Sequence, residues 1–231
     1  GAVHMGRFFS MDNKFFTFMN KVADLCILNI ICLVCCIPIV TAGASITAMY
    51  YVTLKMVRNE EAYIVRSFFK SFKDNFKQAT IINLIMIAVG AVLYLDLNVA
   101  KNMPGSAGQI FHVIFMAFVI IYYVLLLYVY PILARFYNTI RNTIKNALFM
   151  AIRHLPYTVV MVLIGLCPLL LLFIDSYQIQ STLFVLFLVM GFGVIAYCNS
   201  FFLVKIFDHY MPKEENEEQK MDLPGPYGRF K

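Results

Sequence analysis

The sequence predicts an all-α, polytopic membrane bundle, and three observations carry that prediction. Hydrophobic residues make up 61% of the chain and charged residues 14%, against roughly 45–50% and about 25% in ordinary soluble domains. Several charge-free apolar runs reach the ~20 residues a helix needs to cross a bilayer core. The Lys and Arg residues stand between those runs, the pattern of cytoplasmic loops in membrane proteins. The net charge of +6 is therefore read as loop charge. The expected partner is the lipid bilayer and not a nucleic acid. About six transmembrane helices and two amphipathic interfacial helices are expected, in a single membrane domain over 5–211.

Taken in order, GAVH at 1–4 reads as a tag-cleavage remnant before Met5. Residues 8–21 interleave Phe8, Phe9, Phe15, Phe16 and Phe18 with Lys14 and Lys21, which suits a short segment at the membrane surface. The first span is expected at 22–40, with Asp24 one turn from Lys21 as an i, i+3 partner. Pro38 discourages unbroken helix there, and Thr41 or Ser45 can cap a new one, so a second span is expected at 41–57. Its length, about 26 Å, is slightly short of the usual core.

Residues 62–78 place Val65, Phe68, Phe69, Phe72 and Phe76 on one stripe and Arg66, Lys70, Lys73 and Lys77 elsewhere. This is an amphipathic interfacial helix with a basic face. Spans follow at 79–97 and 109–130, joined by a link with Pro104, Gly105 and Gly108, and the second is closed by Pro131. A second interfacial helix is expected at 138–155, then spans at 156–174 and 181–207. The charged tail 212–231 is expected to be disordered. Surface helix, span, turn, span thus occurs twice, at about 62–130 and 139–207, an internal duplication of a kind common in transporters.

Charge counting selects the topology. With a turn inside 35–51, 18 of the 19 Lys and Arg fall on one side and only Lys101 on the other. Without it, the N-terminal cations move outward and the ratio becomes 15 to four. The positive-inside tendency favours the turn, with both termini cytoplasmic and positions 42, 102 and 178 external. A re-entrant segment over 35–57 is the competing reading.

Candidate site residues fall into two groups. Asn29, Asn83 and Asn199 are polar groups within spans, and Pro38, Thr41, Gly43 and Ser45 form the small, polar start of the second span. Small residues let membrane helices approach closely, and hydroxyls and amides bond across the contact. The same residues could instead line a substrate path. The interfacial group is Phe68, Phe69, Phe72, Phe76, Lys70, Lys73 and Lys77.

Catalytic signatures do not appear in the sequence. It holds no G-x-x-x-x-G-K-[ST], no H-E-x-x-H and no G-x-S-x-G, and His112, His154 and His209 are dispersed. The six Cys all lie in apolar runs, as packing residues do. No enzyme activity, cofactor or metal is expected.

Pro38-Ile-Val-Thr41-Ala-Gly43-Ala-Ser-Ile-Thr-Ala-Met-Tyr-Tyr, followed by Phe68-Phe-Lys-Ser-Phe72-Lys-Asp-Asn-Phe76, resembles the YesL-like family of bacterial integral membrane proteins. The resemblance runs from Met5 to about Pro212 and is sharpest over 38–76. Members of that family are often encoded beside carbohydrate importers of the ATP-binding-cassette type and their sensor kinases. The resemblance thus implies a bacterial cell-membrane, multi-pass accessory protein in carbohydrate uptake or sensing, with importer subunits or a sensor kinase as partners. A small-solute transporter in its own right is the alternative. The family carries over no catalytic residues.

Overall fold

The computed structural model describes residues 2–60 and 63–211, with side chains from Lys14 onward. The tail at 212–231 and the side chains of Phe8 and Phe9 lie outside the described residues. Every regular element among the described residues is helical: α1 (Ala2–Cys36), α2 (Ala42–Val57), α3 (Ile64–Asn102), α4 (Ser106–Arg135), α5 (Ile140–Arg153), α6 (Leu155–Leu166), α7 (Tyr177–Leu186) and α8 (Phe192–Asp208). A 3-10 turn, Ile39–Thr41, joins α1 to α2. A 3-10 segment, Cys167–Phe173, extends α6, and a π segment, Phe187–Gly191, joins α7 to α8.

Five helical segments are long and apolar enough to cross a membrane: Lys14–Cys36, Ile64–Asn102, Ser106–Arg135, Leu155–Phe173 and Tyr177–Asp208. This is a membrane protein by length and composition of its helices. The α2 helix, at 16 residues, stays outside that set, yet it is the centre of the packing. Eleven of its residues are buried, and α1, α3, α4 and α8 surround it. Small side chains make this arrangement work: Ala44, Ala48, Ser45 and Thr47 are fully enclosed, so neighbouring backbones close in on α2 from several sides.

Chain direction follows from cross-contacts. Ser45 reaches back to Cys32, and Lys21 reaches Asn59, so α2 folds back antiparallel to α1. Thr53 meets Ser200 and Arg58 pairs with Asp208, so α2 runs parallel to α8. The end of α2 is set by Asn59, whose φ of 54° is the left-handed conformation that stops a helix. Its N–H bonds to Met56, and that of Glu60 to Lys55, across the final turn.

Four expectations need correction. The surface segment 8–21 is not separate but the first half of α1, and Lys21 donates to Asn59 rather than pairing with Asp24. The interfacial helix 62–78 is not separate either, because α3 runs unbroken through Ala79 with no Pro or Gly at the junction. Pro131 does not end the fourth helix. It lies inside α4, which continues to Arg135; membrane helices tolerate such a proline when neighbours enclose it, and Pro131 is buried. In the second half of the supposed duplication the surface helix α5 does break from its span, at His154 (φ −115°, ψ 44°) just before Pro156. Proline lacks the N–H that continuous helix would need.

Candidate functional site: polar clamps on the central hairpin

The helix hairpin α1–α2 turns at Ile37–Thr41, where two helix ends leave backbone groups without intrahelical partners. The Thr41 and Ser45 hydroxyls bond back to this end of α1, the cross-helix use of hydroxyls that the sequence predicts. Neither side chain caps α2. Thr41 Oγ1 donates to the carbonyl of Cys35 at 2.6 Å and lies 2.9 Å from that of Pro38, while Ser45 Oγ donates to the carbonyl of Cys32 at 2.9 Å. Both hydroxyls therefore close the C-terminus of α1. Pro38 holds the extended geometry that opens the 3-10 turn, and its carbonyl also accepts the Thr41 N–H.

Asn83 clamps the turn from α3. Its Nδ2 donates to the carbonyl of Ile39 at 2.8 Å, and its Oδ1 accepts the Tyr130 hydroxyl of α4 at 3.0 Å. The approach depends on Gly43. A Cβ there would stand 2.6 Å from Asn83 Cβ and 2.7 Å from the Ala79 carbonyl, closer than real Cβ contacts come.

Asn29 makes the second clamp. Its Nδ2 donates to the Leu188 carbonyl at 2.7 Å and its Oδ1 accepts the Gly193 N–H at 2.9 Å. The first of these groups lies within the π segment Phe187–Gly191 and the second two residues beyond it. They are the i and i+5 partners that π geometry would join directly, and the fully buried carboxamide of Asn29 occupies the space between them. Gly193 also allows α1 to come close, since a Cβ would lie 2.9 Å from the Leu25 carbonyl.

Asn199 is different. It is 1% exposed, and its Nδ2 and Oδ1 make no hydrogen bond of normal geometry, although the buried Tyr50 hydroxyl stands beside it. It stands next in sequence to Ser200, whose hydroxyl lies 2.8 Å from that of Thr53 across the α2–α8 contact.

The interfacial group divides into two. Phe68 is fully buried and Phe72 packs against the core beside it, their rings stacked at 6.2 Å. Phe69 and Phe76 are exposed, as are Lys70, Lys73 and Lys77. The stripe read as one membrane-inserting face is thus half core and half outer surface.

Sequence reasoning missed a cluster at the end of the bundle where α5 meets α6. His154 Nε2 lies 3.0 Å from the Tyr210 hydroxyl, and the His209 ring is 6.0 Å from the His154 ring. Arg153 stacks on both Phe149 and Tyr210. Burial, then the neighbouring His209 and Arg153, hold the His154 imidazole below its ordinary pKa. At the same end, Tyr51, Leu54, Lys55, Arg58, Glu60, Ala134 and Arg135 line a cavity of about 20 Å³, room for a water but not for a sugar. Among the described residues no group of three His, Cys, Asp or Glu is placed to hold a metal.

Residues 25–97 match the family described as "Protein of unknown function, DUF624". That stretch contains the last third of α1, all of α2, Asn83, and the mixed core and surface face of α3. The chain is 24% identical over 150 residues to the uncharacterized protein YesL of Bacillus subtilis (strain 168), covering 64% of this chain and 70% of that one. It is likewise 24% identical over 116 residues to the uncharacterized protein YteU of the same organism, covering 49% of this chain and 51% of that one. No solved structure matches.

Proposed function

We propose that this YesL-like membrane protein is a non-enzymatic accessory subunit, docking through its membrane helices onto a carbohydrate importer of the ATP-binding-cassette type or its sensor kinase. The observation that carries the reading is the use made of its intramembrane polar groups. Asn29, Asn83, Thr41, Ser45 and Thr53 are each spent on a bond that fixes one helix to another or closes a helix end. A substrate path needs such groups turned toward a cavity, and small Gly43 is filled to contact by Asn83 and Ala79. The carbohydrate link rests on the resemblance to YesL-like proteins. Placement in a bacterial cell membrane with both termini cytoplasmic rests on the charge distribution, 18 of 19 cations on one side.

One observation favours transport instead: the buried carboxamide of Asn199 makes no hydrogen bond of normal geometry, as a group that awaits a solute would. The two readings separate in one preparation. The tagged protein is extracted from native membranes in mild detergent after growth on an inducing sugar. Co-purification of importer or sensor-kinase subunits in near-stoichiometric amount is the expected result. Recovery of the protein alone under several inducing sugars would overturn the accessory role.

A further inference from the structure

We infer that the α1–α2 hairpin is re-entrant: it enters the bilayer from the charged end of the bundle, turns within the hydrocarbon, and presents Ile37, Ile39 and Val40 to lipid acyl chains. Depth is the first argument. The Ile39 carbonyl is held by Asn83, and α3 runs on from there to Asn102, about 28 Å of further helix at 1.5 Å per residue. The α4 helix keeps pace, its Tyr122 hydroxyl bonding to Met86 with roughly 24 Å of helix still separating Tyr122 from Ser106. On the opposite flank, Asn29 lies level with Leu188 and Gly193. The first helix rises about 10 Å beyond Asn29 to Cys36, which leaves roughly 10 Å from there to Tyr177. The shortfalls against α3 and α4 each exceed half of a hydrocarbon core ~30 Å thick.

Composition is the second argument. The two links that lie at the far end carry polar and charged groups, Lys101 and Asn102 in one and Asp175 and Ser176 in the other. The turn at 37–41 carries no charge, its one polar side chain, Thr41, is bonded to backbone carbonyls, and no charged residue occurs from Leu25 to Leu54. Yet Ile37 is 77% exposed, Ile39 69% and Val40 48%. Three large aliphatic side chains projecting from a tight turn suit an acyl-chain environment and not an aqueous loop.

Backbone chemistry is the third. Irregular backbone at membrane depth persists only where its polar groups are satisfied from within the protein. Here the carbonyls of Cys32, Cys35 and Ile39 accept from the Ser45, Thr41 and Asn83 side chains, that of Pro38 accepts the Thr41 N–H, and the Ile37 N–H bonds to Val34. A turn in water would need none of the three side-chain donors. The N-terminus of α1 and the end of α2 remain on the same side, where Lys21 meets Asn59.

The test compares Ile39→Cys with Ser106→Cys, each in the full chain with its six native cysteines replaced, using a membrane-impermeant maleimide on intact cells and on inverted vesicles. Ser106→Cys labels from the far side. Ile39→Cys labels from neither side and reacts after SDS denaturation. A nitroxide at 39 relaxes faster with oxygen than with a water-soluble nickel chelate. Far-side labelling of Ile39→Cys within about tenfold of the Ser106→Cys rate overturns the inference, and so does slow relaxation with both agents, which would place the turn against protein. If the cysteine-free background does not fold, Ile39→Lys and Ser106→Lys in the native sequence serve instead. A charge in the bilayer interior is costly, so Ile39→Lys lowers the membrane-inserted yield several-fold while Ser106→Lys leaves it unchanged. Equal yields of the two contradict the inference.

Discussion

The carboxamide of Asn29 accepts the backbone N–H of Gly193 at 2.9 Å, while its amide nitrogen donates to Leu188 at 2.7 Å. One side chain on the first helix thereby repairs the backbone of the last helix at its π segment. Asn29→Ala leaves two buried backbone groups without partners, at about 1–3 kcal/mol each. Asn29→Asp keeps the acceptor and loses the donor, and it adds a buried charge. Both variants lower the melting temperature in detergent, and backbone amide exchange rises at 188–193 more than elsewhere. Exchange confined to other regions would contradict the clamp.

Gly43 and Gly90 make a matched pair of tests. A Cβ at Gly43 meets the Asn83 Cβ and a backbone carbonyl at 2.6 and 2.7 Å, whereas one at Gly90 meets the tip of Tyr122 at 2.8 Å. Backbone and Cβ atoms cannot swing away, but a tyrosine ring can. Gly43→Ala is expected to destabilise by about 1–3 kcal/mol, the usual cost of overpacking. Gly90→Ala loses at most the Tyr122 bond to Met86, about 1 kcal/mol. Chemical denaturation in mixed micelles measures both, and equal effects would count against close approach of α2 to α3.

Asn83 and Tyr130 should couple energetically, because the Tyr130 hydroxyl donates to the same carboxamide that holds Ile39. Tyr130→Phe and Asn83→Leu form a double-mutant cycle with an expected interaction of about 0.5–3 kcal/mol. Additive effects would mean that the two bonds do not act as one clamp.

His154 gives the fold a pH dependence of defined sign. Its pKa is held below the ordinary value by burial, His209 and Arg153, so the unfolded chain binds its proton first, near pH 6.5. The stability contributed by neutral His154 is complete above that pH and is lost as pH falls through the lower folded-state value. Melting in detergent should therefore weaken from pH 7.5 to 5, and His154→Gln should flatten part of that slope while keeping a polar group near Tyr210. An unchanged slope would show that His154 is not among the groups responsible.

The helical membrane class was legible because composition and the length of apolar runs follow directly from the bilayer as solvent. Gly43 was legible as a packing residue for a similar reason, since a small residue in a span mostly marks close approach. Local capping rules point Thr41 and Ser45 at the helix that follows them, whereas their hydroxyls take the other course the sequence allows and bond across the contact to the helix that precedes. Asn29 stood out by residue type alone. Its target, 159 positions away, is a backbone irregularity that no side chain announces. His154 and His209 looked dispersed because the elbow at Pro156 and the end of α8 bring them together only in three dimensions. The continuity of α3 is not legible in the sequence because polarity changes at Ala79, while the backbone there has no reason to break.

The central claim is that intramembrane polar groups in this protein join helices and do not conduct solute. Flux through purified protein reconstituted in sealed vesicles, measured across a panel of labelled sugars with and without an imposed proton or sodium gradient, tests it most directly. The account predicts uptake no faster than in protein-free vesicles for every sugar and gradient. Saturable uptake that is abolished by Asn199→Leu in a folded, correctly inserted protein would contradict it.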